Sequence, residues 1–383
     1  MRVLDLTRGN AGAFGTMLLA ELGADVIKVE PPLPAGVRAV SDARATPDEL
    51  LFLGRGKRSI TLDLGTRRAR SLFLRLVAAS DAVIEDGETG TPATERVSYR
   101  SLRRAKRTIV LTSISAFGLE GPRQDWRATE LVLQAVGGTL AATGREDGPP
   151  QKLPGAQAAY ATGLNAAIAT WIAVYGVERG AATGVHLDIS AQESFLPLWT
   201  RHISRYVYTG AGHPREQAGP TAQGYPHTVV ARDGYFFLRG LRAEWAPLAT
   251  ALGLEGFATP EWSDPAVRVR RWDEIGPHFA AAFARRDKYE WFAVAAAHDY
   301  TFAPVDDLAD VLASPQLAAR AFFTEAIGAD RAGARLPKLP FSFSGGAGAG
   351  GVPRLGEHND AIFGGLLGLT AAEQAALASA RVI

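Results

Sequence analysis

Residues 2–30 read RVLDLTRGNAGAFGTMLLAELGADVIKVE, and this stretch decides the fold. The apolar run at 2–6 predicts a short strand, and residues 13–22 carry apolar side chains at helical spacing, with Gly23 suited to the position after a helix end. Residues 24–30 predict a second strand. A strand, a helix and a strand of these lengths form a β-α-β unit, whose two strands lie parallel in one sheet.

Strand-like and helix-like runs alternate downstream of this unit. Such alternation predicts an α/β fold that is doubly wound around a parallel sheet. The predicted strands are 58–64, 82–85, 108–113 and 185–189, and the predicted helices are 67–79 and 158–177.

The pattern changes after residue 206. Residues 228–231 (TVVA) and 235–238 (YFFL) flank Asp233-Gly234, which predicts a β-hairpin with a tight turn. Helical stretches follow at 242–252 and 273–298. This part of the chain therefore predicts a second, smaller α+β domain.

The composition is that of an ordinary globular protein. The chain has 383 residues, of which 47% are hydrophobic and 21% charged, and its formal net charge is +1. Nothing in this balance indicates nucleic acid as a partner. The N-terminus has no signal-peptide pattern, and no apolar run approaches the length of a membrane span, so we expect the cytoplasm and no membrane partner.

Several chemistries lack their usual residues in this chain. The sequence has no cysteine, which excludes disulfides, thiolate nucleophiles and zinc held by cysteine. Its seven histidines are scattered and none stands in HExxH spacing, so we expect no metal. GxSxG and GxxxxGK[ST] motifs are also missing, which argues against the common serine hydrolases and P-loop enzymes.

Two places offer groups for ligand binding or catalysis. The first β-α turn includes Arg8, Gly9, Asn10 and Ala11; it is either an anion-binding turn before a helix N-terminus or simply a tight turn, and spacing alone does not separate the two. Glu130 opens an otherwise apolar helical run. A carboxylate there is more often a cap or a partner of the helix dipole than a catalytic group.

Taken together, several separated segments resemble the class III CoA-transferases, the CaiB/BaiF family, which also includes the alpha-methylacyl-CoA racemases. The likeness extends nearly from end to end and keeps the order of the segments. The matching segments are 3–30, 56–64 (GKRSITLDL), 113–122 (SISAFGLEGP), 129–138 (TELVLQAVGG), 302–323 and 355–362 (LGEHNDAI).

This resemblance implies an architecture. It implies a large Rossmann-like domain whose parallel sheet is formed by both chain ends, a small inserted α+β domain, and two subunits interlocked as a dimer. On this basis the large CoA-binding domain spans 1–205 and 325–383 and the small domain 220–312, with linkers at 206–219 and 313–324.

The resemblance also implies an activity and a site. Members move coenzyme A between carboxylic acids, or invert a carbon beside the thioester in the racemases. Arg8, Gly9, Asn10 and Ala11 match residues that line the CoA site. Arg127 matches a basic residue that reaches the CoA phosphates, and Glu130 matches a carboxylate near the active site.

The reactive centre departs from the family pattern. In the transferases an aspartate about thirty residues after the Glu130 position opens a D-x-x-x-G motif and forms an aspartyl-CoA thioester. This chain has Ala159 there, followed by Gly163. A methyl group cannot attack a thioester. The racemases need a histidine where this chain has Thr129, and again an aspartate at the Ala159 position.

Three hypotheses remain open for the function. The chain is an active CoA-transferase with Glu130 as its nucleophile, or a non-catalytic subunit that binds acyl-CoA and pairs with an Asp-bearing paralogue. In the third hypothesis it carries out isomerisation, racemisation or dehydration of an acyl-CoA with Glu130 as general base. The partners are accordingly an acyl-CoA, a carboxylic acid, and a second subunit in a homodimer or heterodimer.

Overall fold

A computed structural model gives the architecture. It describes residues 1–32, 47–87, 98–212, 215, 219–239, 244–325, 335–341 and 350–383. The chain forms two compact units. The first comprises Met1–Thr143, Pro150–His213 and Ala321–Ile383, and the second comprises Gly144–Pro149 and Pro214–Arg320.

The first unit is built on a six-stranded sheet in the order β3-β2-β1-β4-β5-β6, and every neighbouring pair is parallel. The predicted α/β fold with a parallel sheet is confirmed. The strand order reverses between β1 and β4, which is the point where ligands bind in open α/β sheets. The strands are β1 Arg2–Asp5, β2 Asp25–Glu30, β3 Arg58–Thr61, β4 Ala82–Glu85, β5 Val110–Ser115 and β6 Val185–Ser190.

Helices cover both faces of this sheet, as the alternating pattern requires. The long helix predicted at 158–177 is α7, which has a buried face against α1 and the sheet. The helices are α1 Asn10–Glu21, α2 Pro47–Leu53, α3 Arg67–Ala78, α4 Tyr99–Ala105, α5 Glu130–Val136, α6 Thr139–Ala142, α7 Gln157–Glu178, α8 Ala191–Phe195 and α9 Thr200–Thr209.

The C-terminal end of the chain joins the first unit through helices. A π-helical segment at Asp360–Leu366 and a further helix, Ala371–Ser379, pack their apolar side chains into the core under β1, β2 and β3. The resemblance implied that this end also forms part of the parallel sheet. Within the described ranges, the six strands of that sheet lie between residues 2 and 190, and the C-terminal end contributes helices that pack against it. Phe323–Glu325 and Arg335–Pro337 form a separate antiparallel pair.

The second unit has a small antiparallel sheet and its own apolar core. The predicted hairpin is present as β7 Thr228–Ala231 and β8 Gly234–Phe237, and β9 Ala303–Pro304 pairs with β8. The core is rich in aromatic side chains. The helices are α10 Trp245–Ala251, α11 Pro260–Ser263, α12 Pro265–Arg270, α13 Trp272–Phe283, α14 Lys288–Ala297, α15 Leu308–Ala313 and α16 Pro315–Ala319.

Two predicted helical stretches of this unit differ from the structure. The stretch at 273–298 is two helices, because the chain turns after Phe283 and α14 starts anew at Asp287, whose backbone N–H donates to Glu290. The stretch at 242–252 begins with two residues that lie outside the described part of the chain. No helix in the described ranges has the length and apolarity to span a bilayer.

Candidate functional site

The site is assembled where α1 crosses α7. Gly15 and Gly163 face each other at this crossing, and a methyl group built on Gly15 would lie 2.6 Å from the carbonyl oxygen of Gly163. A methyl group on Gly163 would collide with the carbonyl oxygen of Ala11. Only glycine permits this backbone approach. As a result the first turn of α1 and the start of α7 lie side by side.

Aromatic packing reinforces the same contact. The rings of Phe14 on α1 and Tyr160 on α7 have centroids 4.7 Å apart, and Phe14 also stacks on Phe52 of α2. Burial, followed by the negative charges of Glu49 and Glu130, raises the pKa of the Tyr160 phenol above its ordinary value. The hydroxyl next to Ala159 in sequence is therefore protonated at neutral pH.

Glu130 caps the start of α7. Its Oε1 accepts the backbone N–H of Ala158 at 2.9 Å, and its Oε2 accepts the N–H of Ala159 at 3.1 Å. The side chain of Gln134, which is fully buried, donates to the same Oε1 at 2.7 Å. These bonds satisfy two amides that a helix start otherwise leaves without a partner.

The cap arises from a long-range contact and not from the helix that Glu130 begins. Thr129 accepts from Val132 and so provides the cap of α5 itself. Gln134 also accepts the backbone N–H of Leu153 at 2.8 Å, which ties the loop before α7 to α5. Glu130 is therefore held against the backbone of residue 159 by a network that fixes both elements.

Ala159 is half-buried and lies directly at this carboxylate. Its side chain has no group that can act as an acid, a base or a nucleophile. The carboxylate that bonds to the backbone of residue 159 is that of Glu130, and both of its oxygens already accept hydrogen bonds. The arrangement thus places a fixed anion beside a methyl group.

The first β-α turn is held by a residue that was not predicted from the sequence. Asp86, immediately after β4, accepts the backbone N–H of Arg8 at 2.6 Å and that of Gly9 at 2.7 Å. Burial raises the pKa of Asp86 to about 6, although these two bonds and the charge of Lys28 act in the opposite direction. A carboxylate directly after a parallel strand is the signal that marks such a residue.

A second anion, Asp5, anchors the end of β1. It is fully buried and accepts from Thr7 and Thr16, while Lys28 and Lys57 lie 3.2 and 3.0 Å from its oxygens. Burial alone would raise the pKa of Asp5, but the two lysines and the two hydroxyl groups outweigh it and hold the pKa well below its usual range. This network fixes the backbone from which the first turn departs.

The structure brings some of the predicted site residues together. The backbone of Ala11 contacts α7 at Gly163, four residues after Ala159, which places the first turn and the Glu130 cap at neighbouring helix starts. Arg127 lies in an exposed loop before α5, and the ion pairs found among the described residues do not include it. Within the described ranges, no three acidic or histidine side chains are grouped as a metal site requires.

Comparison with known proteins places these features in a family. The model of CoA-transferase family III matches residues 1–359. The succinyl-CoA:mesaconate CoA-transferase of Haloarcula hispanica is 31% identical over 352 residues, which cover 85% of this chain and 84% of that protein.

Two further comparisons concern a subunit and a solved structure. The succinyl-CoA:(R)-benzylsuccinate CoA-transferase subunit BbsE of Thauera aromatica is 29% identical over 394 residues, covering 94% of this chain and 92% of its own. The crystal structure of a CAIB/BAIF family protein from Brucella suis superimposes with a TM-score of 0.83 at 28% identity, over 96% of this chain and 98% of the other.

Proposed function

This chain belongs to CoA-transferase family III, and on that premise we propose that it is the subunit without a nucleophile in a heteromeric CoA-transferase. In this role it binds coenzyme A or an acyl-CoA thioester, and the complex transfers CoA between carboxylic acids. The partner subunit supplies the aspartate for which this chain has Ala159. We place the complex in the cytoplasm.

The observation that carries this proposal is that Glu130 already accepts hydrogen bonds at both carboxylate oxygens. A nucleophilic carboxylate needs a free oxygen lone pair directed at the thioester carbon. Both oxygens of Glu130 accept backbone amides of α7, and one of them also accepts Gln134. Three donors stabilise the anion in its resting position and lower its reactivity, which argues against Glu130 as the attacking group.

The proposed contacts with coenzyme A follow the family pattern at matched positions. Arg8, Gly9, Asn10 and Ala11 follow β1 where the strand order reverses, and ligand binding at this edge of open α/β sheets supports them as the proposed CoA contacts. Arg127 is exposed and without an ion-pair partner among the described residues, so its guanidinium is available for a phosphate. No metal takes part in this proposal.

An outer face of α7 supports the presence of a second subunit. Five large apolar side chains recur on it at helical spacing and are 46–57% exposed in the single chain. A continuous apolar stripe of this kind marks a protein interface. The stripe consists of Leu164, Ile168, Trp171, Ile172 and Tyr175. The naming of BbsE as a subunit favours a heteromer over a homodimer.

A second candidate rests on the position of Glu130. Its Oε2 lies 3.1 Å from the backbone nitrogen of the residue that matches the family nucleophile. If the cap opens during the reaction, Glu130 attacks the thioester carbonyl and expels CoA as its thiolate, which leaves a mixed anhydride between Glu130 and the acyl group. The thiolate then attacks the glutamyl carbonyl, which releases the donor acid and gives a glutamyl-CoA thioester. The same residue acting only as a base would give isomerisation, racemisation or dehydration without a covalent intermediate.

The experiment compares the purified chain with two aspartate variants. Transfer of CoA from succinyl-CoA to a panel of carboxylic acids is followed by liquid chromatography, in parallel with calorimetric binding of free CoA. We expect binding but no transfer by the unaltered chain, transfer by Ala159→Asp, and none by Ala161→Asp, which adds the same charge two residues further along α7.

Other outcomes assign the site differently. Transfer by the unaltered chain alone excludes the subunit role. If the peptide containing Glu130 then becomes modified by hydroxylamine after incubation with acyl-CoA, Glu130 is the nucleophile. Exchange of solvent deuterium into the acyl group, without transfer, shows proton removal beside the thioester and favours the hypothesis in which Glu130 acts as a base.

A further inference from the structure

Asp86 links two strands at the point where the sheet order reverses. It follows β4, and its two oxygens accept the N–H groups of Arg8 and Gly9, which follow β1. The paired residues are 78 and 77 positions apart in sequence. One carboxylate therefore determines where the first turn lies relative to the neighbouring strand.

The turn is shaped to admit this carboxylate. Gly9 stands at the N-cap of α1 and provides no side-chain cap, and a methyl group built on it would lie 3.1 Å from Asp86 Oδ2. The first intrahelical bond runs from Ala13 to Gly9, so the amides of Asn10, Ala11 and Gly12 have no partner within α1. Asp86 occupies the two amides before the helix, and no described residue is shown to accept from the next three.

The charges around Asp86 do not by themselves explain why an anion is retained there. Lys28 on β2 attracts it, and Asp5 at the end of β1 repels it. Lys28 is also bonded to Asp5 and to the carbonyl oxygen of Thr7, so its charge is shared. Burial disfavours the ionised form. What a carboxylate contributes at this position is the pair of short hydrogen bonds to the turn.

We infer that Asp86 is a positioning residue for coenzyme A: its carboxylate fixes the Arg8–Gly9 turn so that the free amides of α1 face the ligand. The inference rests on the proposed function, because it takes the ligand of this crevice to be CoA. Asp86 acts through the backbone of the turn and forms no bond in the reaction.

This role predicts a dependence of binding on pH. Ionised Asp86 gives two charge-assisted bonds, and the neutral acid gives weaker ones. With the pKa of Asp86 raised to about 6, the turn is held firmly at pH 7.5 and loosely at pH 5. Dephospho-CoA is the suitable probe, because it lacks the phosphate monoester whose own pKa is about 6.

The binding experiment uses dephospho-CoA with the full chain at pH 5.0, 6.0 and 7.5. We expect the affinity of the unaltered chain to increase about tenfold from pH 5.0 to 7.5, since one charge-assisted bond differs from a neutral one by roughly this factor. Asp86→Asn is expected to bind with an affinity that does not change over this range. Glu85→Gln, a neighbouring carboxylate that bonds Gly87, keeps the profile of the unaltered chain.

A measurement without ligand separates this inference from the proposed function. In the unliganded protein at pH 7.5, Asp86→Ala should increase hydrogen exchange of the Arg8 and Gly9 amides at least tenfold, with no change in the amides of α3. If the exchange increases but no variant binds dephospho-CoA, the turn is positioned as argued and the ligand assignment is wrong. Unchanged exchange, or an Asp86→Asn profile that still follows pH like the unaltered chain, overturns the inference.

Discussion

Replacing Gly163 by alanine tests how the site is assembled. The new methyl group would collide with the carbonyl oxygen of Ala11 and lie 3.0 Å from the backbone nitrogen of Gly15. Both neighbours are backbone atoms, so α1 and α7 must move apart. Overpacking of this kind costs about 1–3 kcal/mol, which exceeds the gain of at most about 1 kcal/mol from the better helix propensity of alanine.

Gly176→Ala is the matched control in the same helix. A methyl group on Gly176 meets no atom within 4 Å, so only the propensity gain of about 0.5–1 kcal/mol applies. We therefore expect opposite signs, with Gly163→Ala less stable and Gly176→Ala more stable than the unaltered chain in urea unfolding followed by circular dichroism. Equal stabilities of the two variants would refute the close crossing. Gly163→Ala should also weaken the binding of CoA, because the start of α7 moves away from the first turn.

Three further predictions concern individual side chains. Glu130→Ala removes the cap of α7 and leaves the buried Gln134 side-chain nitrogen with only its 3.4 Å bond to the Leu153 carbonyl oxygen, so the free energy of unfolding should fall by about 1–3 kcal/mol in urea titrations; a loss below about 0.5 kcal/mol would be that of an ordinary surface residue. Trp171→Lys should shift the chain toward monomer in light scattering, whereas Glu178→Lys at the end of the same helix should not. The folded pKa of Asp86 is raised to about 6 from an unfolded value of about 3.9. Between these values the folded state binds more protons, so stability relative to Asp86→Asn should decrease by at most about 3 kcal/mol as pH rises from 4 to 6.5, in denaturation at fixed pH steps.

The sequence predicts the elements of the first unit because their signals are local. The β-α-β unit at 2–30 needs only apolar periodicity and Gly23, and the structure has β1, α1 and β2 there. The order of the six strands was not predicted, since periodicity does not determine which strands pair. The division of the helix at 273–298 was missed because both halves are rich in apolar residues, and Asp287 was not identified from the sequence as the cap of a new helix.

The roles within the site were less predictable, because they depend on distant pairs. Glu130 was expected to be a cap or a dipole partner near its own helix, and it caps α7, whose amides come 28 and 29 residues later. Asp86 and the first turn are separated by more than seventy residues. Periodicity describes neighbours three or four residues apart and gives no information on such contacts.

Two residues that resemble catalytic motif positions have sufficient structural reasons to be present in this chain. Gly163 is required where α7 crosses α1, and Glu130 satisfies the amides at the start of α7. Neither requirement involves a nucleophile, so both residues remain necessary for folding in a subunit that performs no chemistry. The likeness to the family at these two positions therefore reflects requirements of the fold and is not evidence of catalysis. No such packing or capping contact explains the side chain of residue 159. The identity of this residue therefore bears on the reaction itself, and the Ala159→Asp variant tests its effect alone.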